Sequence, residues 1–552
     1  MSTVIQQLGA IAMASVAGIL HPIQVAGSVP DSHPSSVQPF ETVATAANAC
    51  KRSPQDYLNQ MLEDPKLRRS HWGVLVQPLT AASDTTTPLP EPWLSHNAEQ
   101  FFNPASNAKL ITTAAALTQI GSNARTLTSL DLEQRPGQGS PNLWLLTWGD
   151  PTLNQEVLDQ FAEAVAAADI KAIDTLWVRA SDMGLATRGR ISSWEWGDLA
   201  FGYGAPVSTA ALNQNRMTLE ITGVSVDEFT QLEVSDPIAG QQWIFHNRVV
   251  TTDANTPAAI TITTGWDGIL YLTGTIPAGT MDLTSIAVPE PAQYLGDSLW
   301  ATLEQRSIEV GRVQVIHNSP DRSDLANLDI YVSPQLGELV HTTNQVSNNL
   351  YAEMLLGWLG LNWPHQERQP RQFLPSAQRS RQALEDALNQ LGVEPNSYRV
   401  ADGSGLSRQN LVTPQALVTL LNGMWRSPED VTFQRSLPIA GETGTLRNRF
   451  KDPILEGRLI AKTGTLTGVS ALSGYFPHGD RTWVAFSILV NHSNQPASVL
   501  RQAMDDLLVA IAETPIHCLG HQQSANREPH PSQLPQQLPL GVRSLMPRFA
   551  NR

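Results

Sequence analysis

Ser106 and Lys109 stand three positions apart in the stretch "NPASNAKLITTAAALTQIG". The Ala-rich apolar run that follows them reads as a helix, with the pair in its first turns. Residues three apart on an α-helix lie about 300° around and roughly 4.5 Å up, so their side chains share a face. The positive end of the helix dipole favours a developing alkoxide on Ser106. Lys109 can take the hydroxyl proton only as a neutral amine. Lowering its pKa from about 10.4 to about 7–8 costs roughly 4 kcal/mol, which burial and a second cation can supply. The chemistry is that of a Ser–Lys nucleophile pair. A plainer arrangement, with Ser106 capping the helix and Lys109 solvated, uses the same residues, so the pair needs support from elsewhere in the chain.

Two further groups supply candidates. Ser347-Asn348-Asn349 precedes an apolar helical run containing Leu350, Met354, Leu355 and Trp358. Alone it reads as a helix N-cap. The same pattern at Ser95–Asn97 and Ser140–Asn142 reads as loop. Lys462-Thr463-Gly464 falls on a strand in "GRLIAKTGTLTGVSALSGYF". A strand lysine is ordinarily an edge charge. This one sits among apolar residues, and the following glycine lets a backbone approach a ligand closely.

The elements that must position these groups follow from periodicity. "SPQDYLNQMLED" is a helix with a Ser cap and Pro in its first turn, and "HWGVLVQPL" is a strand. Near the other end, "GRLIAKTGTL", "ALSGYF" and "TWVAFSILVN" form an antiparallel meander. A closing amphipathic helix follows, with Val499, Leu500, Met504, Leu507, Leu508 and Ile511 on one face. Between Leu127 and Ala326 the chain is rich in Thr/Val/Ile strands such as "ITITTG" and "GILYLTGTIP", with one clear helix, Gln155 to Ala168. The expected architecture is α+β: an antiparallel sheet flanked by helices, built from 51–126 and 327–515 and interrupted by a β-rich insertion at 127–326.

Bulk properties exclude several classes. The chain has 552 residues, 41% of them hydrophobic, enough for more than one packed unit. A formal net charge of −15 argues against a nucleic-acid partner. Only six of the 36 basic residues are lysine, and two of those six are Lys109 and Lys462. Codon bias accounts for most of that scarcity, and the residue type acts only as a tie-breaker. The two cysteines, Cys50 and Cys518, form no C-x-x-C and suggest no metal site; a single bridge and two free thiols are both open. "LGAIAMASVAGIL" (Leu8 to Leu20) resembles the apolar core of a secretory signal but lacks a preceding Lys or Arg, so 1–50 reads as an atypical signal and linker. No run is long enough for a transmembrane helix. Residues 516–552, rich in Gln and Pro beyond Gly520, read as a disordered tail.

In the order S-x-x-K, S-x-N, K-T-G, the three motifs resemble those of penicillin-binding proteins and serine β-lactamases. "NPASNAKLITTAAAL", "WEWGDLAFGYGAPVSTAALNQN", "SNNLYAEMLL", "DGSGLSRQNLVTP" and "AKTGTLTGVSALSGY" are similar to class C low-molecular-mass penicillin-binding proteins, the D-alanyl-D-alanine carboxypeptidase/endopeptidase family. The resemblance runs from about Ser53 to Glu513. That family has a long insertion between its first two motifs, and here Ser106 and Ser347 are 241 positions apart.

The resemblance implies roles. Ser106 forms the acyl-enzyme, Lys109 is its base, Ser347 relays a proton to the leaving amine, and Asn349 orients Lys109 and the substrate amide. Lys462 holds the terminal carboxylate and helps depress the pKa of Lys109. Thr463, Gly464 and Thr465 line the substrate, with the Ser106 and Thr465 N–H groups as oxyanion hole. Asp198 would bind a side-chain ammonium of the peptide beside Tyr203, and Arg408 a carboxylate, unless it serves in a structural ion pair. Thr467 replaces a glutamine found in some members, which leaves the stem-peptide preference open. The implied partners are peptidoglycan stem peptides and β-lactams, with no cofactor and no metal, in the periplasm or cell envelope; a homo-oligomer is compatible with the reading. Carboxypeptidase against endopeptidase preference, including D-Ala–diaminopimelate cross-links, stays open. A β-lactamase or esterase on the same scaffold would need a dedicated deacylation base. An inactive peptidoglycan-binding relative would be expected to lack Ser106, Lys109 or Lys462.

Overall fold

A computed structural model of the chain describes residues 53–80, 90–133, 139–186, 189–265, 267–317, 325–362, 376–479 and 482–519. The signal-like stretch, the linker, Cys50 and the tail from residue 520 lie outside them. Among the described residues no helix is long and apolar enough to cross a membrane.

The principal sheet has five strands in the order Ile460–Leu466, Val469–His478, Thr482–Asn491, His71–Pro78, Leu94–His96, every neighbouring pair antiparallel. Its strands look uniformly apolar because both faces are covered. On His71–Pro78, Trp72, Val74 and Val76 enter one core while Leu75 enters the other. On Thr482–Asn491, Val484, Phe486, Ile488 and Val490 alternate with Ala485 and Leu489 in the same way, as the strand period of two requires. The first core is closed by helices Pro54–Glu63 and Ala497–Glu513. The N-terminal helix begins with the expected cap: Ser53 Oγ accepts from Asp56 N at 3.1 Å, and Asp56 Oδ2 accepts from Ser53 N at 3.2 Å. The second core is closed by helices Ala108–Ile120, Asn349–Asn362, Ser376–Gln390 and Pro414–Trp425.

The intervening segment leaves on strand Leu127–Glu133 and returns on Leu325–Val332, and these two strands pair with each other, Leu127 opposite Val332. They belong to a mixed five-stranded sheet ordered Glu309–Ile316, Ala172–Arg179, Asn142–Leu146, Leu127–Glu133, Leu325–Val332. Two three-stranded sheets complete it, one of Ile244–Thr252, Ile269–Pro277 and Ala259–Thr264, the other of Met281–Ala287, Arg216–Thr222 and Gln231–Val234. These strands share a separate hydrophobic cluster centred on Leu145, Phe161, Leu176 and Leu299.

Several expectations need correction. The insertion holds a second long helix, Pro291–Gln305, besides Gln155–Ala167. Gly296 obscures it in the sequence; a Cβ there would lie 2.5 Å from Val313 Cγ1, so glycine is what allows the helix to sit against the sheet. Ser95 and Asn142 lie in strands, not loops. Beyond residue 515 the chain forms a 3-10 turn, Ile516–Cys518, with Cys518 buried and held in a disulfide, so these residues belong to the folded part.

Candidate active site

Ser106 lies in a 3-10 turn, Ala105–Asn107, that runs directly into helix Ala108–Ile120. The turn is tightly held. Ala105, fully buried, has φ 45°, a left-handed conformation that a non-glycine residue keeps only when its surroundings impose it. Here Asn103 and Asn491 exchange hydrogen bonds, Asn103 N to Asn491 Oδ1 at 2.7 Å and Asn491 Nδ2 to Asn103 O at 3.0 Å. Asn103 Oδ1 then accepts from Ala105 N at 2.9 Å.

Lys109, on the following helical turn, is completely buried. Its Nζ lies 3.0 Å from Ser106 Oγ, 2.7 Å from Asn349 Oδ1 and 2.6 Å from Ser404 O. Burial pulls its pKa down to about 7, against the opposing charges of Asp402 and Glu353. A neutral amine fits these partners: two N–H groups donate to Asn349 and Ser404, and the lone pair is left for the Ser106 hydroxyl. Burial is the main cause; Lys462 is close enough for the two amines to repel, and its own pKa is lowered by burial first and by Lys109 second.

Lys462 sits on the edge strand but is also completely buried, not an edge charge. Its Nζ donates to Ser347 Oγ and to Thr463 O, both at 2.9 Å. Ser347 has φ 56° and is not the helix cap; Asn348 is, its Oδ1 accepting from Tyr351 N at 3.1 Å. Ser347 is thereby left to face Lys462. Thr463 Oγ1 donates to Thr445 Oγ1 at 2.8 Å. A Cβ on Gly464 would come within 2.8 Å of Pro104 O and 3.0 Å of Ser106 N, so only glycine lets this strand pass the Ser106 turn. Ala461 N donates outside the sheet, to Pro438 O at 3.0 Å. By strand alternation the N–H of Thr465, four residues on, also points away from the neighbouring strand. With Ser106 N it makes two donors on the open side.

Two buried acids that sequence reasoning missed organise this cleft. Glu353 accepts from Gly403 N at 3.0 Å and Ser404 N at 2.8 Å, which fixes the carbonyl that Lys109 uses. Burial, then the charge of Asp402, pushes its pKa up to about 8. Asp402 binds Gly405 N, Ser407 N, Asn410 Nδ2 and Trp194 Nε1 at 2.6–2.7 Å. The available signal was an acid one helical turn beyond Asn349 in an otherwise apolar helix.

The three remaining candidates come together at the mouth. Tyr203 O accepts from Asn349 Nδ2 at 2.8 Å, which joins this region to the lysine, and Tyr203 Oη donates to Asp198 Oδ1 at 3.1 Å. Arg408 reaches the same place but is already paired: its Nε donates to Glu195 Oε1 at 2.6 Å and its Nη1 to Thr467 O at 3.2 Å.

An antiparallel sheet covered on both faces, with a Ser–Lys turn opening a buried helix and a lysine strand at the edge, defines the fold class of penicillin-binding proteins and serine β-lactamases. The crystal structure of penicillin-binding protein 4 from Haemophilus influenzae superposes with a TM-score of 0.70 at 22% identity, covering 82% of this chain and 99% of that one. The same protein complexed with a β-lactam gives 0.66 at 22% identity, covering 83% and 99%. The chain belongs to the D-Ala-D-Ala carboxypeptidase 3 (S13) family, whose model matches residues 55–511. A D-alanyl-D-alanine carboxypeptidase of Actinomadura is 33% identical over 495 residues, 87% of each chain.

Proposed function

We propose that this chain is a serine DD-peptidase that hydrolyses D-Ala-D-Ala termini of peptidoglycan stem peptides, and cross-links ending in D-Ala, through an acyl-enzyme on Ser106. The observation that carries the proposal is the buried Lys109 amine, 3.0 Å from Ser106 Oγ, with its two other neighbours both acceptors. Neutral Lys109 takes the hydroxyl proton as Ser106 Oγ attacks the penultimate carbonyl carbon. The tetrahedral oxygen takes the N–H groups of Ser106 and Thr465. Ser347, backed by Lys462, relays the proton held by Lys109 to the departing D-Ala nitrogen, which returns Lys109 to its neutral form, and Lys462 and Thr463 face the D-Ala carboxylate. Water then attacks the ester, Lys109 again serving as base. β-Lactams, which present a similar acyl bond, acylate the same serine and leave slowly.

The division of labour in the chain is part of the proposal: 51–126 and 327–515 carry the chemistry, 127–326 contributes the mouth, and the enzyme works in the cell envelope, on the periplasmic side. Incubation with a fluorescent penicillin followed by a denaturing gel tests it. A stable label that Ser106→Ala abolishes is expected. Rapid turnover of the label would make the protein a β-lactamase, and no label would make it a binding relative.

A further inference from the structure

The mouth beside Asn349 carries an internal neutralisation. Arg408 is held by Glu195, while Asp198 faces the same space with the Tyr203 hydroxyl and the Glu195 backbone on it. With its carboxylates ionised, the group of Asp198, Glu195 and Arg408 has a net charge of −1. Two of the three guanidinium nitrogens of Arg408 are committed, one to Glu195 and one to Thr467 O. Three of its five N–H groups stay open, so a substrate carboxylate would meet a guanidinium whose charge Glu195 already neutralises.

An ion pair this exposed is usually weak, because two long side chains must be ordered to make it. Here the ordering is done from beneath. The same oxygen of buried Asp402, Oδ2, accepts from Trp194 Nε1, immediately before Glu195, and from Ser407 N, immediately before Arg408. Both partners are thus aimed at each other before any ligand arrives.

Resting on the reading of the chain as a DD-peptidase, we propose that Glu195 is a specificity-determining residue: by occupying Arg408 it selects stem peptides whose side chain before D-Ala-D-Ala ends in a lone ammonium, as in lysine, over those ending in an ammonium with a carboxylate beside it, as in diaminopimelate. A pocket of −1 complements a side chain of +1; a pocket relieved of Glu195 complements a zwitterion.

The test is kcat/KM for two peptides that differ only in that side chain, lysine or diaminopimelate, with the wild-type enzyme, Glu195→Gln and Glu195→Asp. The wild type favours the lysine peptide. Glu195→Gln moves the ratio about fivefold toward diaminopimelate, the size of one exposed charge pairing, and Glu195→Asp returns part of it. Equal wild-type rates, or a ratio that Glu195→Gln leaves in place, overturns the inference. Penicillin labelling of the wild type separates the two levels. If no covalent adduct forms, the reading as a DD-peptidase falls. If the adduct forms and the ratio stays fixed, only the role of Glu195 falls.

Discussion

The cleft around Lys109 and the mouth around Arg408 are linked through Asn349 and Asp402, yet are built on opposite terms. Lys109 and Lys462 are fully buried, each with two or three partners at 2.6–3.0 Å. In the mouth, by contrast, the Arg408 and Glu195 side chains keep 39% and 58% of their surface exposed, and Tyr203 is 48% exposed. Burial changes what the inner groups are, turning a lysine into a base. Exposure keeps the outer groups in contact with water, where they can sort ligands but do no proton transfer. Chemistry is placed where the dielectric is low, and selection where side chains can still be exchanged at small cost.

That contrast predicts large effects inside and small ones outside. Lys109→Met should slow acylation by penicillin by about 10²–10⁴-fold, the worth of a positioned base, measured by stopped-flow labelling. Gly464→Ala should come next, with a loss of about 10²-fold, because its methyl would press on Pro104 O and Ser106 N, the backbone that sets the nucleophile. Asp198→Asn should lower kcat/KM about tenfold for peptides bearing a side-chain ammonium, and less for a β-lactam without one. If Asp198→Asn matched Lys109→Met on the β-lactam, the two regions would not be separable.

Proton linkage sharpens the comparison. With Lys109 near 7, the acylation rate should rise with pH through about 7 and then level. Glu353, raised from 4.5 to about 8, keeps its proton in the folded state over a range where the unfolded chain has lost it. Its contribution to stability is therefore fully present below about 4.5 and is lost as pH rises toward 8. The melting temperature of wild type, relative to Glu353→Gln, should fall across that window; parallel curves would show that Glu353 is ionised throughout.

The motifs at Ser106, Ser347 and Lys462 could be read because their residues are close in sequence and occur in a fixed order; only Ser106 and Lys109, three apart, share a face by spacing alone. The meander and the terminal helices were legible for the same reason, since period and caps are short-range. What escaped depends on partners far away in the chain. Glu353 acts on a loop 50 residues on, and Glu195 on a guanidinium 213 residues away. The helix Pro291–Gln305 was hidden by Gly296, a residue chosen for a neighbour and not for helix propensity. The stretch from Met183 to Ala211 shows the limit of a boundary drawn from composition. It falls in the β-rich part, but Met183, Ile191, Trp194 and Val207 pack in the same cluster as the catalytic helices.

The amide of Asn349 gives its oxygen to the Lys109 amine and its nitrogen to the carbonyl of Tyr203. It is a two-ended gauge. A peptide that draws Tyr203 toward itself works on the far end of the group that senses whether Lys109 carries a proton. Thermodynamic reciprocity then requires that any factor by which an occupied mouth shifts proton affinity be returned, unchanged, as a factor in peptide affinity when the proton leaves.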